Sequence, residues 1–164
     1  MAPKRQIFIG LGSNISPEQN LKSAAAILRK HFPDIQFSSV YRSKAMEIEN
    51  QDDFLNAVAI VDTEKSPQEV HTILQEIEQS LGKAPPYRFG PRTIDLDILL
   101  YGNGAFTEDG LAIPHKRMHE RRFVLEPLCE LLDSQAMHPV LSVTWEELLE
   151  KTLDQQCALT DIAL

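Results

Sequence analysis

Cysteines and long apolar runs are scarce in this chain. Its 164 residues include two cysteines, Cys129 and Cys157, which form no metal-like cluster, and this indicates a reduced, intracellular protein. No run approaches the roughly 18 apolar residues of a membrane-spanning helix, and the N-terminus lacks the apolar core of a signal peptide. We therefore expect one cytoplasmic domain over residues 1–164 that has no membrane partner.

Positive charge is also scarce, and where it occurs it is concentrated. The net charge is −8, which argues against broad nucleic-acid binding. Two short segments nevertheless carry clusters of basic residues, namely Lys83, Arg88 and Arg92, and Lys116, Arg117, Arg121 and Arg122. This distribution predicts a protein that binds a small anionic ligand, although a solvated charged surface would explain either cluster alone. We also expect a monomer.

A phosphate-binding loop is missing at the place where one often occurs. The segment Gly10-Leu11-Gly12-Ser13-Asn14 lies between a predicted strand and a predicted helix. It has no lysine followed by Ser or Thr, and the third glycine of a dinucleotide fingerprint is absent. We interpret the glycines as permitting a tight turn, with direct ligand contact as the alternative.

The most informative segment runs from Arg88 to Tyr101 and contains Gly-Pro-Arg-Thr-Ile-Asp-Leu-Asp. Side chains alternate along a strand, so Asp95 and Asp97 project on one side. Two like charges destabilise a sheet face unless a cation lies between them, and oxygen ligands favour Mg²⁺, Mn²⁺ or Ca²⁺. With Arg92 just upstream, the pattern predicts a metal-bound phosphate chain; two ordinary acids on a solvent-facing strand are the alternative.

A second candidate binding segment runs from Ile113 to Phe123 and is rich in histidine, lysine and arginine. These residues suit polyphosphate oxygens because each can give a charge-assisted hydrogen bond. A charged entry to a helix is the other interpretation. Upstream, Phe54 and Asn56 could stack on a flat heterocycle and hydrogen-bond its edge, although a phenylalanine at this position is more often part of a core.

The order of predicted elements is β-α-β-β-α-β. Both helices begin with a Ser-Pro signature, at Ser16 and at Ser66, and Gly82 ends the second. This order predicts an α+β, ferredoxin-like core. A hairpin near residues 108–110 and helices at about 123–132 and 144–151 follow it. The tail after Leu153 carries no pattern that we can interpret.

Taken together, the motifs resemble the 6-hydroxymethyl-7,8-dihydropterin pyrophosphokinase family over nearly the whole chain. The matching segments, in order, are Gly12-Ser13-Asn14, Tyr41-Arg42, Phe54-Leu55-Asn56-Ala57, Arg88 through Gly102, Pro114-His115, Met118, and Arg121-x-Phe123-x-Leu125-x-Pro127-Leu128. The resemblance implies that ATP donates its β,γ-diphosphate to the hydroxymethyl group of the dihydropterin and that AMP leaves. It also implies a three-layer α-β-α fold and two Mg²⁺ ions.

The resemblance further implies roles for individual residues. The two Mg²⁺ ions would be held by Asp95 and Asp97. The pterin would contact Ser43, Met46, Phe54, Asn56 and Phe123. ATP would contact Gln75, Glu78, Arg88, Arg92, Ile98, His115, Lys116 and Arg121. Arg92 and Lys83 would act on the reacting phosphates, and Lys83 stands where the family usually has an arginine.

Two other functions stay open from the sequence. One is a non-catalytic module of the same fold that binds nucleotide or pterin, because such folds host many roles. The other is a different Mg²⁺-dependent nucleotidyl or glycosyl transferase, because Asp-x-Asp pairs recur in those enzymes.

Overall fold

The computed structural model of the protein describes residues 3–44, 52–82, 94–108 and 110–164. Its strands are, in chain order, β1 Arg5–Ser13, β2 Gln36–Phe37, β3 Tyr41–Ser43, β4 Phe54–Thr63, β5 Asp95–Tyr101, β6 Phe106–Glu108, β7 Leu111–Ile113 and β8 Cys157–Leu159. Its α-helices are α1 Pro17–His31, α2 Pro67–Ser80, α3 Arg122–Leu131 and α4 Trp145–Glu150. A 3₁₀ turn, Met118–Glu120, precedes α3.

The strands form an antiparallel sheet in the order β5-β1-β4-β3-β8, and β2 pairs with β4 beside β3. β6 and β7 form a separate hairpin. The protein is therefore a mixed helix-and-strand structure built on an antiparallel sheet, as expected. Among the described residues, no helix combines the length and apolar character needed to cross a membrane.

Each face of the sheet is covered by helices, because apolar residues alternate along the central strands. On β4, Leu55, Ala57 and Ala59 belong to the core that includes residues of α1 and α2. Val58 and Ile60 belong to the core that includes residues of α3 and α4. We call these two sides the α1 face and the α3 face.

The two long helices begin in different ways, although the sequence predicts the same signature for both. At α2, Ser66 Oγ accepts from Glu69 N–H at 3.1 Å, and the Glu69 carboxylate accepts from Ser66 N–H at 3.0 Å. At α1, Ser16 has φ 39° and makes no side-chain cap bond. A capping serine needs an extended backbone, which Ser16 does not have, so the capping role predicted for Ser16 is wrong. The helix nevertheless begins at Pro17, as expected.

Two strand predictions also differ from the structure. Gly10 to Ser13 is not a turn but the end of β1, because these residues pair with β4 on one side and largely with β5 on the other. The sequence predicts a single second strand over residues 35–42, but the structure divides it into β2 and β3, with an interruption near Ser38. There Ser38 N–H donates to Val58 O at 2.8 Å and Ser38 Oγ accepts from Val58 N–H at 2.9 Å, so a side chain replaces part of the ladder.

Candidate active site

The paired aspartates lie on the α3 face of β5, which is the last strand of the described sheet. The residues that alternate with them, Leu96 and Ile98, are buried in the core on the α1 face. Asp95 and Asp97 therefore project to the opposite side together, as their spacing predicts. Asp97 is exposed and Asp95 is partly exposed.

Two glycines lie opposite these aspartates on the neighbouring strand. Gly12 pairs with Asp95 and Gly10 pairs with Asp97. Directly opposite residues in an antiparallel pair share a face, so side chains at these positions would stand beside the carboxylates. Because glycine has no side chain, neighbouring side chains approach these positions: Leu99 lies 3.3 Å from where a Cβ on Gly10 would be, and Asn56 Oδ1 lies 3.3 Å from where a Cβ on Gly12 would be.

Three of the residues predicted to bind the pterin, Ser43, Phe54 and Asn56, lie on the same face, one strand further on. Asn56 Nδ2 donates to Ser43 Oγ at 2.7 Å, and these side chains belong to residues only 4% and 5% exposed. Phe54 precedes Asn56 by two residues on β4 and shares its face. Gly12 pairs with Asn56 as well as with Asp95, so two strand spacings, or about 10 Å, separate the backbones of Asn56 and Asp95.

Helix α3 is tied to the strand that carries Ser43. The Tyr41 hydroxyl donates to one carboxylate oxygen of Glu130, and Ser39 N–H donates to the other at 2.9 Å. Burial, followed by the hydrogen bond and charge of Glu130, raises the pKa of Tyr41, so the hydroxyl keeps its proton as a donor. The helix that bears Phe123 is thereby fixed against β3.

The basic segment is attached to the aspartate strand through His115. Its backbone N–H donates to Leu99 O at 3.0 Å, two residues beyond Asp97. Its Nδ1 accepts from Arg117 N–H at 3.2 Å. Burial, and then the charges of Arg121 and Arg117, lower the pKa of His115. A lowered pKa favours the neutral ring, in which Nδ1 is the acceptor and Nε2–H would be the donor. A bond from that N–H to an anionic phosphate would still be charge-assisted.

Arg121 links the two predicted binding areas. Its guanidinium carbon lies 5.6 Å from the centroid of the Phe123 ring, within the range of a cation–π contact. Phe123 is in the first turn of α3. Arg121, which we expect to bind ATP, thus packs against Phe123, which we expect to bind the pterin. The other basic residue expected at ATP in this segment, Lys116, is exposed.

The chain matches the family model described as 7,8-dihydro-6-hydroxymethylpterin-pyrophosphokinase (HPPK) over residues 8–133. The chain belongs to the HPPK family. This confirms the resemblance inferred from the motifs, and the match spans both the paired aspartates and the basic segment.

Curated relatives that carry the name 2-amino-4-hydroxy-6-hydroxymethyldihydropteridine pyrophosphokinase support this membership. The Haemophilus influenzae protein is 42% identical over 129 residues, which is 76% of this chain and 79% of the relative. The Bacillus subtilis protein is 40% identical over 127 residues, 76% of each chain. The Aquifex aeolicus protein is 33% identical over 158 residues, 95% of this chain and 98% of the relative.

Solved structures with the HPPK name share the fold. A crystal structure described as HPPK-DHPS in complex with substrates has a TM-score of 0.74 at 14% identity, over 93% of this chain and 44% of that one. Plasmodium falciparum HPPK-DHPS with pterin and p-hydroxybenzoate has a TM-score of 0.75 at 15% identity, over 94% and 44%. This chain thus spans less than half of those longer chains, and at such identities the likeness concerns the fold alone.

The remaining predicted ATP residues of this HPPK chain lie elsewhere around β5. Glu78 is buried, and its carboxylate accepts from the Leu96 N–H at 2.9 Å, between the two aspartates. Gln75 is exposed one turn earlier on α2. The Ile98 side chain is in the core of the α1 face, so Ile98 would contact the nucleotide through its backbone atoms. Nucleotide contacts by all three stay predictions.

Four predicted HPPK site residues lie outside the described residues. They are Met46, Lys83, Arg88 and Arg92. Within the described ranges, no group of three or more His, Cys, Asp or Glu side chains forms a possible metal site.

Some residues that support this HPPK site are not apparent from the sequence. Gly10 and Gly12 favour a turn, with direct ligand contact as the alternative, and no local pattern points to Glu130. Pairing of a glycine with an acid cannot be seen before the strand register is known. The bonds from Ser39 and Tyr41 to Glu130 join residues about 90 positions apart, 91 and 89 respectively, so no local pattern reveals them.

Proposed function

We propose that the protein catalyses the reaction after which its relatives are named, the pyrophosphorylation of 2-amino-4-hydroxy-6-hydroxymethyldihydropteridine in folate biosynthesis. The hydroxymethyl oxygen attacks the β-phosphorus of ATP, the bond from that phosphorus to the oxygen on the α-phosphate breaks, and AMP leaves. The hydroxyl proton is released. The observation that carries this proposal is the row Asn56–Gly12–Asp95 across three strands of a chain in the HPPK family.

The acceptor would lie on the α3 face between the rings of Phe54 and Phe123. The Asn56 amide is oriented by its bond to Ser43, which leaves its oxygen available to a heterocycle N–H. Aromatic faces on both sides of a flat ring fix its plane, and fixing the plane aims the hydroxymethyl group. Ser43 and Met46 would complete this pocket.

The donor would be ATP, held along β5 and the basic segment. Asp95 and Asp97 fit Mg²⁺ because both supply carboxylate oxygen on one face of β5, where Asp97 is exposed and Asp95 partly exposed, and Mg²⁺ is commonly bound by one or two carboxylates plus substrate phosphates. Two ions bound there would neutralise charge on the phosphate oxygens. Arg121 and Lys116 would hold the phosphate chain with His115 as a neutral donor, and Gln75, Glu78, Arg88 and Ile98 would complete the ATP site.

Arg92 and Lys83 would stabilise the charge that shifts to the leaving AMP oxygen. Lysine gives a point charge in place of the arginine fork. Transfer of this kind depends on alignment and charge neutralisation more than on a protein nucleophile, so no covalent intermediate is assigned.

Three further properties belong to this proposal. The strand order β5-β1-β4-β3, with two helices crossing one face, supports a ferredoxin-like topology, and helices on the other face support the three-layer variant. The net charge of −8 supports a protein that binds small molecules and not nucleic acid. We propose a single catalytic domain that acts as a cytoplasmic monomer.

The test is to incubate the protein with ATP, Mg²⁺ and the hydroxymethyl dihydropterin and to identify both products. We expect one AMP for each pterin diphosphate formed. ADP, or pterin monophosphate, would contradict the assigned transfer. Calorimetric binding of both substrates without AMP release would favour the non-catalytic module, which the family match does not favour.

A further inference from the structure

The segment before β8, residues 152–156, contacts the start of α3 although it lies beyond the family match at residues 8–133. The Gln155 side-chain oxygen accepts from Arg122 N–H at 2.9 Å. The Gln155 side-chain nitrogen donates to Glu120 O at 2.7 Å. One amide therefore binds the backbone immediately before and immediately after Arg121.

The side chain of Arg122 adds a second link between the same two segments. Its Nη1 donates to Leu153 O at 3.2 Å and to Gln155 O at 3.0 Å. Its Nε and Nη2 donate to one Glu126 oxygen at 3.2 and 2.9 Å. Both side chains are only about one-fifth exposed, so these charge-assisted bonds are partly shielded from water.

The first turn of α3 needs such support because of the residues that begin it. The N-cap residue is Arg121, which makes no side-chain cap bond, and the first turn contains no acid. Guanidinium groups have no acceptor atom, so an arginine cannot cap the free N–H groups of a helix start. Positive charge there is also unfavourable to the helix dipole. Gln155 supplies, from a distant segment, the acceptor that the N-cap residue lacks.

We propose that Gln155 and Arg122 are positioning residues that hold Arg121 and Phe123 in place for both substrates. The proposal rests on the function proposed above, in which Arg121 binds ATP and Phe123 binds the pterin. The cation–π contact between these two residues, at 5.6 Å, requires a fixed backbone between them. The amide of Gln155 fixes that backbone at residues 120 and 122.

The kinetic test compares Gln155→Ala with Gln155→Glu and Gln156→Ala. Gln156 is exposed, and its side chain makes no hydrogen bond within the described ranges, so it is the matched control. We expect Gln155→Ala to raise KM at least fivefold for both ATP and the dihydropterin. Gln155→Glu keeps an acceptor for Arg122 N–H but loses the donor to Glu120 O, so its KM values should fall between those of Gln155→Ala and the wild type. Gln156→Ala should match the wild type. KM values within twofold of wild type for folded Gln155→Ala would overturn the proposal.

A second measurement needs neither a variant nor activity. In the unaltered protein, the Arg122 amide should exchange with deuterium at least a hundredfold more slowly than an unprotected peptide amide, as followed by two-dimensional NMR. Exchange at the unprotected rate would refute the Gln155 bond even if every variant failed to fold. If the wild type released no AMP while this amide was protected, the proposed function would fail and the Gln155 bond would stand.

Discussion

The Asn56 amide lies so close to Gly12 that it would have to shift to admit a side chain there. A Cβ on Gly12 would lie 3.3 Å from Asn56 Oδ1 and 3.9 Å from Phe54 Cδ1. The absence of one methyl group on β1 therefore lets the amide of Asn56 reach Ser43 and face the proposed pterin pocket.

Gly12→Ala should weaken pterin binding more than ATP binding. The new methyl would displace the Asn56 amide and strain its bond to Ser43, and a single bond of this kind is worth roughly 0.5–1.5 kcal/mol. We expect KM for the dihydropterin to rise about three- to tenfold, in steady-state assays that vary each substrate in turn. The matched variant is Gly10→Ala, whose methyl would meet the Leu99 side chain at 3.3 Å; a larger pterin effect from Gly10→Ala would contradict the assignment.

Asp97→Asn should abolish Mg²⁺-dependent turnover and leave the fold intact. The side chain is exposed, and the amide has nearly the same shape but lacks the negative charge that would hold Mg²⁺. We expect AMP release to fall at least a hundredfold, about 2.7 kcal/mol in the barrier, while the far-UV circular dichroism spectrum stays that of the wild type. A near-native rate at saturating Mg²⁺ would refute the metal assignment.

Glu78→Ala should destabilise the protein before any nucleotide is added. It leaves the Leu96 N–H without the carboxylate acceptor at 2.9 Å, and an unsatisfied buried donor costs roughly 1–3 kcal/mol. Urea unfolding of the ligand-free protein measures this loss. Glu78→Gln keeps an acceptor oxygen and should lose less. If Glu78→Ala were as stable as the wild type, Glu78 would have no role in folding, and its only remaining role would be the proposed contact with ATP.

Stability should fall as the pH drops below about 6.5, in part through His138. Its Nδ1 accepts from Val140 N–H at 3.1 Å and Leu141 N–H at 3.2 Å. Burial, and then the nearby His119, lower the pKa of His138 below its usual 6.5. The unfolded chain therefore takes up the proton first, so this stabilisation is complete above pH 6.5 and declines below it.

The control for that pH dependence is His138→Asn, whose side-chain oxygen can replace Nδ1 as an acceptor and does not titrate. Urea unfolding at pH 7.5, 6.0 and 5.0 should show a steeper loss in the wild type, by up to about 1.4 kcal/mol per pH unit. Identical slopes in the two proteins would exclude His138 as a contributor.

The parts of the fold that the sequence predicts correctly are those that depend on residues close together in the chain. The helix start at Ser66 and the common face of Asp95 and Asp97 follow from spacing alone, and both appear in the structure. β8 is only three residues long and pairs with β3. Its strand character comes from that partner, which the sequence does not specify.

The candidate site likewise combines features that local sequence patterns predict with features that only tertiary contacts determine. The acidic pair and the basic segment were visible as motifs, but the neutral state of His115 depends on burial and on Arg121 and Arg117. The glycine positions opposite the acids depend on strand register. Local patterns therefore indicated which residues take part, and only tertiary contacts showed how they are oriented.

The bond between Glu78 and Leu96 also bears on how the chain avoids self-association. β5 is the outermost strand of the described sheet, and an outermost strand with open N–H groups is a template for another chain. The buried Glu78 carboxylate accepts a hydrogen bond from one such donor, the Leu96 N–H. An incoming strand would have to displace that carboxylate before it could pair with β5 at this position. The edge is therefore protected against fibril-like stacking where the phosphate-binding acids need to stay accessible.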